Sequence, residues 1–456
     1  MKKVAIIGGG ISGLSTLHFL RRRHSDKYHP TLFEKESRLG GTIGTDRKDG
    51  FISDWGPNGF LDKVPLTLQL VSELGIDDLL EPANPKAEKR YIYRNKKLHE
   101  INPSPPKFLS SPLISLRGRA RLMGEFFIKA KTNDDDESIF DFAQRRIGRE
   151  AAETLIVPMV SGIYGGDAQK LSLRACFPIM EEMEKNHGSL IKAMIARKKQ
   201  GSKGGPVGPQ GRLTSFKNGL NTLIETFEKK YFNDIKSGME VIAIRKINDG
   251  FELNFKFTPA EKYDAVICAA PAYAASALTG ELNDELSQLL SSIPYASITV
   301  ACFGYKSEYI EHDLSGFGFL IPRNQDKRIL GSIWTSSIFF GRSPMNMVQL
   351  RTMIGGATDP EAINLTDDEL TALFHRELSE ILGIKNEPDY VKIFKWLKGI
   401  PQFVMGHPDK IKKLMEFESK FPGLYFTGNA YDGIGLNDCI IRSEKVVSNL
   451  NDASND

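Results

Sequence analysis

At 456 residues the chain is too long for one compact core, and it suggests two or three domains. Its 60 basic and 57 acidic residues leave a formal charge of +3, which gives no general signal for polyanion binding and excludes nucleic acid as an expected partner. Cys176, Cys268, Cys302 and Cys439 lie far apart, with no CxxC pair and no Cys/His cluster, so no metal is expected and the four read as buried thiols in a reducing compartment.

The first element is a short apolar run over residues 4–7. It opens into Gly8-Gly9-Gly10-Ile11-Ser12-Gly13 and then a helical pattern over 14–20. The run is too short for a signal peptide, and no later apolar stretch is long enough to span a bilayer, so a cytoplasmic place, free or attached to a membrane from that side, is expected. Gly8, Gly10 and Gly13 fit GxGxxG. The first lets the strand turn, the second lets backbone N–H groups approach a pyrophosphate, and the third lets helix pack on strand. The ligand's negative charge then sits at a helix N-terminus. A second run, 31–33, ends in Glu34, where a carboxylate would accept hydrogen bonds from both ribose hydroxyls of an adenosine. Next comes Lys35-Glu36-Ser37-Arg38-Leu39-Gly40-Gly41-Thr42. A nicotinamide-binding domain has no special need for this second glycine pair or for Arg38, which could reach the same pyrophosphate. The whole reads as a βαβ dinucleotide site.

Residues 49–59 read as a strand and a tight turn, because Gly56-Pro57-Asn58-Gly59 is strong turn chemistry. Residues 65–80 read as an amphipathic helix, 89–99 as a basic hairpin, and the proline cluster 102–106 as a stop to helix and strand alike. The stretch 109–131 mixes apolar residues with Arg117, Arg119, Arg121, Lys129 and Lys131. It reads either as a helix lying on an anionic membrane or as a core-facing helix with a solvated charged face. The acidic run at 134–138 lacks the glycine and closing glutamate of a calcium loop and starts a helix over 138–148, with another over 150–160. A glycine turn at 161–167 and a glycine-rich linker at 197–212 follow. A helix to about residue 231, a strand at 240–244 and a buried strand at 263–271 with a proline stop come next. Segments 297–305, 316–322, 329–334 and 349–356 alternate like strands of an antiparallel sheet. The helix over 367–382 is capped by Thr366 and stopped by Gly383; 391–396 is a strand, and 423–429 runs into a glycine turn before a final helix. No catalytic triad and no base of evident geometry shows, so no side chain is assigned a catalytic role and a cofactor would carry the hard step.

The residues 8–13, Glu34, the Arg38 to Thr42 stretch and the motif Asn429-Ala430-Tyr431-Asp432-Gly433-Ile434-Gly435-Leu436 resemble the flavin-dependent amine oxidase and protoporphyrinogen oxidase superfamily. The resemblance runs over nearly the whole chain. It implies FAD, held by Gly8, Gly9, Gly10, Ile11, Ser12, Gly13, Glu34, Lys35, Arg38, Gly41 and Thr42. It puts Gly56, Pro57, Asn58 and Gly59 beside the flavin ring, Val241 against adenine, and Asn429, Ile434, Gly435 and Leu436 at the ring. Trp396 packs near the flavin or is a buried aromatic with an N–H partner.

The implied fold class is α/β (α+β). A Rossmann-like FAD domain of the p-hydroxybenzoate hydroxylase type would comprise 1–50, 212–280 and 405–456. An antiparallel-sheet substrate domain would comprise 51–88 and 281–404, and a helical, membrane-facing insert 89–211. For substrate, the resemblance implies that Arg90 receives propionates, that Gly166 lets a flat macrocycle approach, and that Phe317, Leu320 and Met353 line the pocket. The implied reaction converts protoporphyrinogen IX to protoporphyrin IX in haem biosynthesis. Hydride leaves a bridging methylene for the flavin and a proton leaves a pyrrole nitrogen, over three two-electron cycles, with dioxygen reduced to hydrogen peroxide. The implied partners are the porphyrinogen, dioxygen, a membrane surface, the next haem-pathway enzyme and a second copy of the chain. Coproporphyrinogen III stays open as substrate, although the lack of an evident second basic cluster favours protoporphyrinogen. An amine oxidase also stays open, as does a binding module of the GDP-dissociation-inhibitor type.

Overall fold

The computed structural model describes residues 1–101, 111–199 and 211–452; the proline cluster at 102–106, the start of the 109–131 stretch and most of the 197–212 linker lie outside the described residues. Val4, Ala5, Ile6 and Ile7 are all buried because their strand, β1 (Lys2–Ile7), is covered on both faces. Helix α1 (Ile11–Arg23) carries the chain from β1 to its parallel neighbour β2 (Tyr28–Glu34). Ile235–Ser237 adds beyond β2, while Ala265–Cys268 and then Leu424–Phe426 add on the other side of β1, completing a five-stranded parallel sheet. The strand order therefore reverses at β1, and the crevice at the C-terminal ends of such a sheet is where ligands bind. On one face Val4 and Ile6 pack with Leu14 and Leu17 of α1 and with Ile440 and Val447 of the helix Leu436–Asp452. On the other, Ala5 and Ile7 pack with Ile244, Phe251 and Leu253 of an antiparallel meander formed by Val241–Ile247, Gly250–Phe255 and Glu261–Tyr263. Ser443 Oγ donates to the Ser12 carbonyl at 2.8 Å, tying the helix Leu436–Asp452 to the glycine motif.

A second, seven-stranded sheet runs in the spatial order Tyr390–Pro401, Tyr295–Lys306, Met347–Gly355, Gly331–Trp334, Gly318–Leu320, Arg90–Arg94, Lys97–Glu100. The sequence suggests an antiparallel sheet; this one is mixed, because Gly318–Leu320 runs parallel to Arg90–Arg94. The 90–100 hairpin arrives from a distant part of the chain rather than through a turn, so nothing forces the pairing to be antiparallel. That hairpin belongs to the sheet, and the helical region starts after it rather than at residue 89. The outer face of the sheet buries Ala301, Phe303, Tyr305, Leu350 and Ile354 against the helix Asp367–Leu382. This helix carries a full capping box, Thr366 with Glu369, and ends at Gly383, as its sequence predicts.

Several expected elements are shorter than their periodicity suggests. The 65–80 helix stops at Leu74, where Gly75 turns left-handed, and continues as a 3-10 turn and the strand Leu80–Pro82. The 150–160 helix contains a π turn over Ala152–Ile156, because Pro158 has no N–H to continue the ladder. In the 109–131 stretch the described helix is Leu116–Met123, followed by a 3-10 turn over Gly124–Phe127. Helices Pro178–His187, Ala272–Thr279 and His407–Lys420 have no counterpart in the sequence reading. Each begins at or next to a proline, which stops a helix from inside but suits its first turn. All four cysteines are buried and free. Among the described residues no helix is long and apolar enough to cross a membrane, and no cluster of metal-ligating side chains forms.

Candidate active site

At the end of β1 the backbone turns through Gly8 with φ of +110°, its Cα pressed against the Ala269–Ala270 backbone. A Cβ on Gly13 would overlap the Gly8 carbonyl oxygen, so helix and strand touch there. A Cβ on Gly10 would meet nothing within 4 Å. Gly10 faces open volume and is the N-cap of α1, with no side-chain cap and no acidic residue in the first turn. The amides of Ile11, Ser12 and Gly13 are thereby left for an anion. The second glycine pair folds onto the first: the Gly40 N–H donates to the Gly9 carbonyl at 2.8 Å, and Gly41 lies against the Gly10 Cα. Arg38 donates to the carbonyls of Leu39 at 2.8 Å, Ile43 at 2.9 Å and Gly41 at 2.6 Å, and stacks on Trp55 at 4.5 Å. Burial lowers its pKa from the ordinary arginine range, yet no carboxylate among the described residues pairs with it, so its charge is available to a pyrophosphate.

Glu34 accepts from the Gly9 N–H at 2.7 Å and the Glu36 N–H at 2.9 Å, which fixes its carboxylate at the end of β2. The Met239 N–H donates to the Glu34 carbonyl at 2.8 Å, bringing the strand that starts at Val241 beside the same corner. Lys35 is exposed and pairs with Glu36 at 3.5 Å, so nothing brings its side chain to the cradle.

The turn at 55–59 is held from below. Asp54 accepts from Thr45 Oγ1 at 2.6 Å and the Leu220 N–H at 2.9 Å, and pairs with the buried Arg342 at 3.1 Å. Trp55 stacks on Phe394 at 5.6 Å, and its carbonyl accepts from Nε1 of the half-buried Trp396 at 3.3 Å, which places Trp396 against this turn with its N–H partnered. A Cβ on Gly56 would overlap the Thr42 carbonyl, which joins this turn to the second glycine pair, and Gly59 lies against the Thr214 carbonyl. Arg351 Nη2 donates to the Gly56 carbonyl. Trp55 Nε1, Asn58 Nδ2 and Arg351 Nε are buried without a partner. Unpartnered donors gathered at one turn fit a cofactor that presents carbonyls and ring nitrogens. Asn429 follows the edge strand Leu424–Phe426. From there the loop reaches Ile434, which touches the helical region, and Gly435, whose N–H donates to Asp438 at 3.0 Å. Leu436 is buried against the α1 side.

The inner face of the mixed sheet carries Arg90, Leu320, Ile333, Arg351 and Met353, since their alternating neighbours Phe319, Trp334 and Leu350 point the other way. The helix Val157–Tyr164 lies on this face. A Cβ on Gly162 would stand 2.8 Å from Leu320 Cδ2, and the Ala357 N–H donates to the Gly165 carbonyl at 2.7 Å. Backbone contact with the sheet thus falls at Gly165, whereas Gly166 faces Leu171 and Gln402. Arg90 is exposed and lies over Phe317 at 5.0 Å. The protein around its guanidinium lowers its pKa. Sequence reasoning missed Arg351 and the Asp54–Arg342 pair. The sequence carried no distinct signal for them: in the strand Met347–Gly355, Arg351 stands among the polar Gln349 and Thr352 as any charged strand residue would.

A parallel sheet with this glycine cradle, a strand-end carboxylate and a turn of unpartnered donors defines an FAD-dependent oxidoreductase. The family model described as flavin containing amine oxidoreductase matches residues 11–450, and the chain belongs to that family. It is 33% identical to coproporphyrinogen III oxidase of Bacillus subtilis (strain 168), over 98% of this chain and 97% of that one. It is 31% identical to chloroplastic protoporphyrinogen oxidase 1 of Arabidopsis thaliana, over 95% of this chain and 85% of that one. Its fold superposes on a provisionally named protoporphyrinogen oxidase from Exiguobacterium sp. 255-15 with a TM-score of 0.85 at 24% identity, covering 100% of this chain and 99% of that one.

Proposed function

We propose that the chain dehydrogenates a porphyrinogen to the porphyrin in haem biosynthesis. The observation that carries this reading is the inner face of the mixed sheet, where Leu320, Ile333 and Met353 form an apolar wall beside the turn at 55–58, with Arg90 at the rim. A flat apolar macrocycle with acid side chains at its edge suits such a wall. The names of the full-length relatives support the same class. FAD would be held by Gly8–Gly13, Glu34, Arg38 and the turn at 56–58 and would supply the acceptor for one hydride from a bridging carbon in each of three two-electron cycles, with dioxygen as the terminal acceptor. The chain's own residues hold and orient. The wall positions the macrocycle, Arg90 pairs with a propionate, and the helix Val157–Tyr164 shields the face from water. Protoporphyrinogen IX is the substrate favoured by an apolar wall with one basic rim residue. Coproporphyrinogen III is favoured by a second guanidinium, taken up below.

The test is an aerobic assay of the FAD-loaded protein with both porphyrinogens, following porphyrin fluorescence and peroxide against autoxidation. Porphyrin formation above the control is expected. A flavin spectrum that responds to primary amines, with no porphyrin from either substrate, replaces the reading with amine oxidation. Arg90→Ala is expected to raise the apparent KM for a porphyrinogen about tenfold, the weight of one charge-assisted contact; an unchanged KM removes Arg90 from substrate binding.

We also propose that the helical region docks on an anionic membrane. Leu116 and Phe127 are 78% and 81% exposed, Met123 and Ile195 about half so, and Arg117 and Lys192 stand among them, the latter over Phe126 at 4.7 Å. An exposed apolar patch with basic neighbours matches a lipid surface better than water. Co-sedimentation with anionic but not neutral vesicles is expected, and Leu116→Glu with Phe127→Glu should abolish it. Equal recovery with both kinds of vesicle ends the proposal.

A further inference from the structure

Residues 321–330 close the hairpin between Gly318–Leu320 and Gly331–Trp334, pinned by the Ile321 N–H donating to the Leu330 carbonyl at 3.0 Å. Their sequence, Ile-Pro-Arg-Asn-Gln-Asp-Lys-Arg-Ile-Leu, reads as a polar surface turn. Two of its three cations behave that way: Arg328 holds Asp359 through bonds of 3.1 and 2.9 Å, and Lys327 pairs with Glu380. Arg323 does not. It is half-buried, and its Nε and Nη2 are both buried with no hydrogen-bond partner. A guanidinium offers five donors and keeps its charge, so burying two nitrogens unpaired is costly unless a ligand occupies them. Asp359 and Asp167 are the carboxylates that its charge feels, and neither pairs with it. Asp359 is taken by Arg328, and Asp167 accepts from the Gln169 N–H at 3.0 Å.

The position of Arg323 matters as much as its valence. The Leu330 N–H donates to the Met353 carbonyl at 2.8 Å, so the turn leaves the sheet beside the apolar wall. Asp167 and Asp359 flank the contact between Gly165 and Gly356, where the helix Val157–Tyr164 meets the sheet. At the other end of the wall, Arg90 is paired in register with Gly318, five residues before Arg323. The strand Gly318–Leu320 lies between the two arginine backbones, with Leu320 on the wall that separates them. This arrangement suits a ligand with acid groups at opposite edges.

Resting on the porphyrinogen reading, we propose that Arg323 is a carboxylate-binding residue that seats an acid side chain at the pole of the tetrapyrrole opposite the one taken by Arg90. It acts on specificity. Coproporphyrinogen III carries a propionate on each of its four pyrroles, whereas protoporphyrinogen IX carries vinyl groups on two. A guanidinium at each pole pairs with the tetracarboxylate from both sides and meets a vinyl group with no partner to offer when the dicarboxylate is bound, so Arg323 tilts the site toward the former.

The experiment compares wild type, Arg323→Ala and Arg323→Lys, each FAD-loaded and matched in flavin content and melting temperature, with both porphyrinogens. In parallel, coproporphyrin III is titrated by fluorescence. Arg323→Ala is expected to raise KM for coproporphyrinogen III and Kd for coproporphyrin III about tenfold or more, to leave kcat within twofold, and to move KM for protoporphyrinogen IX less than threefold. Arg323→Lys should recover part of the loss, because it restores charge without the planar fork. Equal effects on both substrates, or none, overturn the assignment while porphyrinogen oxidation stands. If wild type oxidises neither substrate, the functional reading falls; unchanged coproporphyrin binding in Arg323→Ala then overturns the seat as well. Should Arg323→Ala not fold, Arg323→Gln, which keeps polarity without charge, is read by the same ratios.

Discussion

At the residue scale, the glycines of the first motif do different jobs, and their substitutions separate them. Gly10 faces open volume with ordinary backbone angles, so Gly10→Ala is expected to leave the melting temperature of the FAD-free protein unchanged while weakening FAD binding at least tenfold. Gly13 lies against the Gly8 carbonyl, so Gly13→Ala is expected to cost about 1–3 kcal/mol in the FAD-free protein itself. Differential scanning calorimetry and FAD titration read the two effects; a melting loss in Gly10→Ala would mean that its open volume is not a ligand cradle. These residues were legible in the sequence because a backbone constraint leaves a local trace. Arg351 and Arg323 were not, since what makes them unusual is the burial of a guanidinium atom, and burial depends on register between strands far apart in the chain.

At the scale of elements, His407 opens the helix His407–Lys420 in a position sensitive to acid. It is 2% exposed, stacks on Phe403 at 4.1 Å, and donates through Nε2 to the Tyr431 carbonyl at 3.0 Å, while Nδ1 is buried without a partner. Burial lowers its pKa from 6.5 to about 4 against the opposing hydrogen bond to the Tyr431 carbonyl, with Lys410 adding to the fall and Asp432 and Asp136 opposing it weakly. The folded state therefore binds the proton less well than the unfolded chain. The stability held above pH 6.5 is lost as pH falls toward 4, about 2 kcal/mol of it by pH 5. Thermal melts between pH 7.5 and 5 are expected to show that slope, and His407→Gln to flatten it; an unchanged slope in the variant would assign the acid sensitivity elsewhere. A capping change should act differently. Thr366→Ala is expected to cost about 1 kcal/mol with no effect on turnover, because the helix Asp367–Leu382 covers the outer face of the sheet, away from the site. The cap, the glycine stop and the acidic first turn of that helix are all local signals, and its bounds were readable. The helices opened by Pro178 and Pro408 were hidden by the same logic, since a proline's meaning depends on which side of it the helix lies.

At the scale of the whole molecule, FAD would bind where separated segments meet: the motif at 8–13, the second glycine pair at 40–41, the turn at 55–59 and the loop after Leu424–Phe426. Ligand binding to the folded state alone raises apparent stability, by about 2.7 kcal/mol at a hundredfold excess over Kd. Removing FAD is expected to lower the melting temperature and to speed proteolysis of the loop at 429–435. A melt that does not respond to FAD would break the link between cofactor and fold. Deleting residues 436–452 is expected to abolish flavin retention altogether, because that helix packs on α1 and tethers Ser12. The discontinuous sheet has a further consequence, during synthesis. β1 and β2 emerge early, but the edge of Ala265–Cys268 stays unpaired until Leu424–Phe426 has left the ribosome, on the order of forty seconds after β1 at ordinary elongation rates. Throughout that interval the nascent chain carries an apolar strand pair with an open edge, so capture by ribosome-side chaperones is expected until that edge closes.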